Sequence, residues 1–345
     1  MRGELKSITA ARGLAALAVA FFHANASMNF MGGATVPIFS LGENGVDFFF
    51  VLSGFIIAWV HGGDIGRPQR AFDYAAKRFI RLFPILWIVV GGWLLVRLAM
   101  GEVQQNAVGT SLLLYPSLIK PAPLVVWTLR HELVFYCAFS VLIIDRRWGE
   151  TLFVAWATLC LVQVVLSILG SPLTGLSAFF LSSFNLDFML GMIVAGAHRL
   201  FRFKNGMMPL WIGLAAVAGI MGLREMLGGG RLGMLDYVST GATIWTLALG
   251  ASFALLLHGL LCAEDLMSIP RPLLMLGASS YSLYLAHTAL NSATQHAAIL
   301  LPVVASQLFM VAAAVIGGWL LYSRIEKPLA GFLRGMLKRH RAQAA

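Results

Sequence analysis

The sequence predicts an all-α protein, a polytopic membrane bundle of about ten transmembrane helices with both termini in the cytoplasm. Hydrophobic residues make up 59% of the 345 residues and charged residues only 12%, whereas a soluble domain usually carries about 25% charged residues. The apolar residues also recur in stretches close to the roughly 20 residues with which a helix crosses a bilayer. We therefore expect one membrane-embedded domain over residues 1–330 and a short basic cytoplasmic tail over residues 331–345.

The predicted spans are apolar stretches bounded by charged residues or by glycine and proline. The second stretch is short and contains Ser53 and Gly54, small residues that let a neighbouring backbone approach closely. We therefore place this helix inside the bundle rather than against lipid. In chain order the predicted spans cover residues 8–26, 46–60, 79–100, 124–144, 152–169, 178–197, 208–223, 237–261, 273–290 and 301–322.

The basic residues predict the orientation of the bundle. Cytoplasmic loops of membrane proteins keep an excess of lysine and arginine. With the N-terminus inside, most basic residues fall on the cytoplasmic side, and only a few, such as Lys120, Arg224 and Arg231, fall on the other. This asymmetry explains the net charge of +10 better than an affinity for nucleic acid does. We therefore expect the lipid bilayer, and not nucleic acid, as a partner.

The N-terminus imitates a secretory signal, because a basic start and an apolar run precede Ala24-Asn25-Ala26. Cleavage there would remove His23. However, Arg12 directly precedes the apolar run, and apolar residues resume at Met28. We expect the segment to stay in the protein as its first span.

Arg12, His23 and Asp47 carry ionisable groups into predicted spans, where a charged side chain costs about 2.5 to 3.5 kcal/mol. At about 100° per residue, eleven positions return within roughly 20° of the starting direction and rise about 16 Å. Arg12 and His23 therefore share one helix face at opposite depths. Asp47 opens the second span on the outer side, where it could bond to His23 and prepare it as a general base. A structural hydrogen bond between two helices explains this pair equally well.

Arg78 and Arg81 open the third span three residues apart, on one helix face. Two guanidinium groups can hold phosphate oxygens, and a helix N-terminus adds a favourable dipole. A nucleotide-bearing cofactor such as coenzyme A is therefore a candidate ligand. Anchoring of the two side chains at the membrane surface is the simpler alternative.

Glu132, Tyr284 and His287 are further polar groups in apolar surroundings. A carboxylate in a span usually faces the bundle interior and pairs with a cation, for which Arg12 and Arg130 are candidates. Glu132 is therefore either part of a structural ion pair or a group that binds acceptor hydroxyls or pantetheine amides. Tyr284 and His287 share a helix face, although aromatic belts at the membrane interface also contain such residues.

Other kinds of chemistry have no support in the sequence. Motifs of nucleotide hydrolysis, zinc proteolysis and serine esterases are absent. Cys137, Cys160 and Cys262 show neither pairing nor metal-ligand spacing. His61, His198, His258 and His296 do not belong to a grouping like that of Tyr284 with His287. We interpret all seven as structural and expect no metal.

Taken together, five elements resemble the acyltransferase-3 family of bacterial membrane O-acyltransferases, which includes exopolysaccharide, O-antigen and nodulation-factor acyltransferases. The resemblance covers essentially the whole chain, and the elements occur in the order of the family. They are Arg12 with His23, the segment Gly45–Phe55, Arg78 and Arg81 with Pro84, Trp127-Thr128-Leu129 with Glu132, and Tyr281–Leu285 with His287.

The resemblance implies a multi-pass protein of the bacterial inner membrane that moves an acyl group, usually acetyl from acetyl-CoA, onto a hydroxyl of an extracytoplasmic or lipid-linked glycan. Polysaccharide-assembly proteins are the implied partners. In this reading Arg12 and His23 are the essential pair, Asp47 orients His23, and Glu132 lies in the central pore. The donor site is assigned to Arg78, Arg81, Arg130, Tyr284 and His287.

The expected mechanism is direct attack of a sugar hydroxyl, deprotonated by His23, on the thioester, with Arg12 and Glu132 fixing the donor. An acyl-enzyme route lacks a convincing nucleophile. The main alternative from another class is a transporter or flippase, because membrane-embedded Arg, His and Glu also form proton-coupled paths. The nearest enzymatic alternative is transfer of another acyl group, such as succinyl.

Overall fold

The computed structural model of the chain describes residues 5–102, 105–201, 205–228 and 238–344. Within these ranges the chain is all-helical and has no β-strand, as predicted. The α-helices are α1 Lys6–Phe30, α2 Gly45–His61, α3 Ala71–Ala99, α4 Gln105–Leu113, α5 Trp127–Ile144, α6 Arg146–Ile168, α7 Leu176–Phe180, α8 Ser183–Leu200, α9 Met208–Met226, α10 Thr240–Ala263, α11 Arg271–Ala278, α12 Ser280–Ala298, α13 Val303–Leu321 and α14 Lys327–Ala344.

Nine helical segments in the described ranges are long and apolar enough to cross a membrane. They contain α1, α2, α3, α5, α6, α8, α9, α10 and α13, and each overlaps one predicted span. The remaining predicted span corresponds to α12, which has 19 residues but a more polar sequence. Because α12 packs against α1 and α13 inside the bundle, its polar side chains are shielded from lipid. The multi-pass helical bundle expected from the sequence is confirmed.

The ninth predicted span, over residues 273–290, is wrong in its boundaries. The structure divides it between α11 and α12, and the crossing helix runs to Ala298. Ser279 lies at the break, where its hydroxyl donates to the carbonyl oxygens of Met275 at 3.0 Å and Leu276 at 3.2 Å. Such side-chain hydrogen bonds compete with the helical pattern of backbone bonds. The break brings the carbonyl end of α11 against α1.

The other predicted ends shift by a few residues. Tyr237, where the eighth span was predicted to start, lies outside the described residues, as does Arg231, and α10 begins at Thr240. At the other end of the chain, a π-helical turn over Tyr322–Glu326 connects α13 to α14. The helix therefore continues through residue 330, and the division into a membrane domain and a tail remains a prediction.

Contacts between helix ends show which ends share a face of the bundle. One face holds the start of α1 and the ends of α2, α5, α8 and α10. The backbone N–H of Lys6 donates to Glu264 at 2.6 Å, that of Gly66 to Leu142 O at 3.1 Å, and Arg199 donates to Trp59 O.

The opposite face holds the end of α1, the start of α2 and the ends of α6 and α9. Here Thr240 donates to Ser167 O at 2.6 Å, and Arg224 donates to Asn44 at 2.7 Å. Gln307 on α13 donates to Asn25 on α1 at 3.2 Å. The alternation of the helices between these two faces follows the predicted topology. The assignment of the Lys6 face to the cytoplasm remains a prediction.

A tight crossing in the core joins α2 to α8 through two glycines. A Cβ atom on Gly54 would lie 1.9 Å from the carbonyl oxygen of Phe188, and one on Gly191 would lie 1.9 Å from that of Val51. Backbones in a membrane bundle approach this closely only where side chains are absent. The prediction that Gly54 places α2 inside the bundle is thus confirmed, and the crossing fixes the helix that forms one wall of the site described below.

Replacing Gly191 by alanine is expected to lower the melting temperature of the detergent-solubilised protein, because the added methyl group forces α8 away from α2. Overpacking of a core usually costs about 1–3 kcal/mol. Gly196 is the matched control, since it lies on the same helix and nothing lies within 4 Å of its Cβ position. Gly196→Ala should leave the melting temperature unchanged or raise it slightly. Equal melting temperatures for the two variants would contradict the tight crossing.

Candidate active site

A central cavity of about 130 Å³ lies between α1, α2, α3, α5 and α12. Its α2 wall runs from Val46 through Phe49 and Ser53 to Ile57, which at 1.5 Å per residue is about 16 Å along the helix. The cavity is therefore narrow and long, a shape that suits an extended arm better than a ring system. Its polar lining consists of Arg12, Ser53, Arg78, Arg81, Thr128, Glu132, Tyr136, Ser280, Tyr281 and Tyr284.

Arg78 and Arg81 both line this cavity, on the face of α3 that the sequence predicts. Arg81 donates to Glu326 at 2.7 Å, and its guanidinium lies 4.6 Å from the ring centre of Tyr281. The Nη2 atom of Arg78 lies 3.2 Å from Nε2 of His61. The Nε atom of Arg78 is buried and has no hydrogen-bond partner among the described residues. Arg78 therefore retains capacity to bind an anion, whereas Arg81 is partly neutralised.

Arg12 and Glu132 complete the charged lining. The guanidinium of Arg12 donates from Nε at 3.0 Å and from Nη2 at 2.6 Å to the carbonyl oxygen of Gly277, at the end of α11. Glu132 accepts hydrogen bonds from Ser53 at 3.3 Å and from the hydroxyl of Tyr136. Three guanidinium groups thus face one carboxylate in the wall, and an excess of positive charge attracts an anionic ligand.

A second cavity, of about 40 Å³, adjoins the first. It is lined by His23, Glu43 and Asp47, and it shares Val46 and Tyr284 with the central cavity. Because α1 is continuous from Lys6 to Phe30, Arg12 lies at the first cavity and His23 at the second. This is the arrangement on one face at two depths that the spacing of the two residues predicts.

The partner of His23 differs from the predicted one. Its Nδ1 atom lies 3.0 Å from the carbonyl oxygen of Val19, four residues earlier on α1. A carbonyl oxygen can only accept, so Nδ1 carries the proton and Nε2 carries the lone pair. Asp47 lines the same cavity, but its Oδ1 is buried without a hydrogen-bond partner among the described residues. The bond predicted from Asp47 to His23 is therefore replaced by one from His23 to the backbone.

Tyr284 forms part of the wall between the two cavities. Its hydroxyl lies 2.7 Å from the hydroxyl of Thr128 and donates to Val125 O at 2.9 Å. The two bonds fix the ring at the junction of the two cavities.

His287 and Arg130 do not line the central cavity, in contrast to the donor site predicted for them. The ring of His287 packs 4.8 Å from that of His23, centre to centre, and its Nδ1 lies 3.3 Å from Leu283 O. Arg130 donates to the carbonyl oxygens of Ser117 at 3.2 Å and Ile119 at 2.9 Å, and so it holds the loop before α5. His287 therefore supports His23, and Arg130 supports a loop.

Two further buried or half-buried carboxylates, which line neither cavity, were not singled out from the sequence. The carboxylate of Glu326 accepts hydrogen bonds from Arg81 at 2.7 Å and from the hydroxyl of Ser282 at 2.6 Å. Asp187 is fully buried on α8, and neither of its carboxylate oxygens has a hydrogen-bond partner among the described residues. The argument that selected Glu132, a carboxylate inside an apolar span, applies equally to Asp187.

Comparison with known proteins gives these groups a context. The family model described as "Acyltransferase domain" matches residues 5–323. The chain is 31% identical to "Exopolysaccharide production protein ExoZ" of Rhizobium meliloti (strain 1021), over 84% of this chain and 90% of that protein. It is 28% identical to "Acyltransferase MdmB" of Streptomyces mycarofaciens, over 46% of each chain. No solved structure matches. The match over nearly the whole chain shows that the protein belongs to the acyltransferase-3 family of membrane acyltransferases.

Proposed function

We propose that the protein moves an acetyl group from acetyl-CoA to a hydroxyl of an extracytoplasmic or lipid-linked glycan. The observation that carries the proposal is the junction of two cavities at Val46 and Tyr284, one lined by three arginines and the other by His23. Membership of the family supports acyl transfer, and the name of the exopolysaccharide production relative supports a glycan as acceptor. The acceptor, the bacterial inner membrane and polysaccharide-assembly partners are part of this proposal.

The donor would bind in the central cavity. Arg78 and Arg81 would hold phosphate oxygens of coenzyme A near the Lys6 face, which we assign to the cytoplasm. The narrow space along α2 would take the pantetheine arm and bring the thioester towards Tyr284. Ser53 and Glu132 offer hydrogen-bonding groups to the amides of this arm on the way.

The acceptor would approach His23 from the second cavity. Nε2 of His23 would take the proton of the sugar hydroxyl while its oxygen attacks the thioester carbon. The tetrahedral intermediate would then collapse with loss of the C–S bond, and the coenzyme A thiolate would take up the proton from His23. The products are an O-acetyl ester and free coenzyme A. Arg12, which lies about 16 Å from His23 along α1, would help to hold the donor in the central cavity.

Acetyl transfer can be measured in membranes with acetyl-CoA that carries a radiolabel in its acetyl group. Membranes that contain the protein are expected to label cell-envelope glycan, and mild alkali should release the label as acetate because the product is an ester. Membranes without the protein provide the background.

Three results would contradict the proposal in different ways. If membranes transfer label from succinyl-CoA and not from acetyl-CoA, the donor is not acetyl-CoA and the transferred group is another acyl group. If label appears only on an acceptor that is not a glycan, the proposed glycan acceptor is wrong. Uptake of glycan precursor into vesicles, without any ester and without dependence on acyl-CoA, would favour a transporter.

A further inference from the structure

Two histidines and a cysteine converge where the ends of α8 and α10 pack together. His198 lies in the last turn of α8, and His258 and Cys262 lie near the end of α10. Nε2 of His198 is 2.7 Å from Nδ1 of His258, and Nε2 of His258 is 3.7 Å from Sγ of Cys262. With one ligand atom taken from each side chain, all three atoms lie within 4.8 Å of one another.

The spacing within α10 suits a tetrahedral metal ion. His258 and Cys262 are four residues apart and so lie on one face of the helix. Bond lengths of about 2.0–2.1 Å to nitrogen and about 2.3 Å to sulfur place the two ligand atoms about 3.6 Å apart at a tetrahedral angle. The 3.7 Å between His258 Nε2 and Cys262 Sγ agrees with this separation.

The third ligand comes from the neighbouring helix. His198 is half-buried, and metal binding requires its ring to turn so that Nε2 leaves Nδ1 of His258 and meets the ion. Cys262 is buried at 3% exposure, and the backbone N–H of Gly206 donates to its carbonyl oxygen at 3.0 Å. The cluster contains no oxygen ligand, which disfavours Mg²⁺ and Ca²⁺, whereas imidazole and thiolate together suit Zn²⁺.

We propose that His198, His258 and Cys262 bind one Zn²⁺ ion that clamps the end of α8 to the end of α10. Binding replaces the contact between the two imidazoles with two bonds to the metal and releases the proton of the Cys262 thiol. Water would occupy the fourth position. Because none of the three residues lines either cavity of the active site, the ion stabilises the bundle and is separate from acyl transfer. The sequence did not predict this site, since His198 is remote from the other two in the chain.

Cobalt provides a direct readout, because Co²⁺ bound to a thiolate shows a charge-transfer band that Zn²⁺ lacks. The full chain in detergent, with the exposed Cys137 replaced by serine, is titrated with CoCl₂. One equivalent should produce the band, and ZnCl₂ should remove it. The band should survive in Cys160→Ser, which changes another buried cysteine, and be lost in Cys262→Ser. ZnCl₂ should also raise the melting temperature by several degrees in the Cys137→Ser parent and not in Cys262→Ser.

Folding of each variant is checked by size-exclusion chromatography. His198→Ala serves as a second variant, because it removes a half-exposed ligand and leaves the helix α10 intact. It should weaken Co²⁺ binding at least tenfold. The proposal is overturned if the parent protein shows no thiolate band with CoCl₂, if Cys262→Ser keeps the band, or if His198→Ala binds Co²⁺ as tightly as the parent. In each case the three side chains form only a hydrogen-bonded cluster.

Discussion

Replacing His23 by alanine is expected to lower the rate of acetyl transfer by about 10²- to 10⁴-fold, the contribution of a positioned general base. The imidazole has the geometry for this role, because the hydrogen bond from Nδ1 to Val19 O leaves the lone pair of Nε2 available at the second cavity. Alanine keeps the helix and removes the acceptor of the proton. Initial rates of label transfer from acetyl-CoA to glycan, at matched protein levels, measure the effect.

His296→Ala is the matched control for this variant. His296 is exposed near the end of α12 and lines neither cavity, so the same substitution there should leave the rate unchanged. If His23→Ala transfers label as fast as the wild-type protein, another group accepts the proton. A loss of rate in both variants would indicate damage to the bundle rather than to the chemistry.

The helical framework follows from the sequence because hydrophobicity and length decide it. Nine of the predicted spans overlap apolar helices in the described ranges. The polar α12 was placed with less success, because its hydrophobicity is weak and its start depends on the hydrogen bonds of Ser279. Hydropathy averaged over a stretch of residues does not show at which residue a helix breaks.

The site was predicted best where two residues share one helix. Arg12 and His23 on α1, and Arg78 and Arg81 on α3, line the cavities as their spacing requires. Arg12 and Arg130 were the two candidate cations for Glu132, and the choice of Arg130 violates the same rule, because positions two apart point to different sides of a helix. Glu132 instead accepts from Tyr136, four residues later. Helical geometry alone would have corrected this prediction.

Pairs on different helices were less predictable, because their contacts depend on helix rotation and depth. Asp47 reaches the cavity of His23 but not its imidazole. The partnership of Arg81 with Glu326 spans 245 positions of the chain. The periodicity of residues within one span does not show which side chains of other spans lie next to it in space.

Replacing Arg78 by glutamine is expected to raise the KM for acetyl-CoA by about 10- to 100-fold and to change kcat much less. A hydrogen bond to a charged group contributes about 1.5–3 kcal/mol, and about 1.4 kcal/mol corresponds to a tenfold change in affinity. Arg78 should have the larger effect of the two arginines on α3, because its Nε lacks a partner among the described residues while Arg81 is paired with Glu326. Steady-state rates at varied acetyl-CoA concentration separate KM from kcat.

Lys77→Gln removes the same charge one position earlier on α3 and provides the control. Lys77 is exposed and does not line the cavity, so its loss should leave KM within about twofold, since a surface charge contributes about 0–1 kcal/mol to an interaction. A higher KM in both variants would mean that a diffuse positive surface, and not the side chain in the cavity, attracts the donor. A lower kcat with an unchanged KM for Arg78→Gln would contradict a role in binding the phosphates. Only interactions that are stronger in the transition state than in the ground state act on kcat alone, so Arg78 would then act in the chemical step.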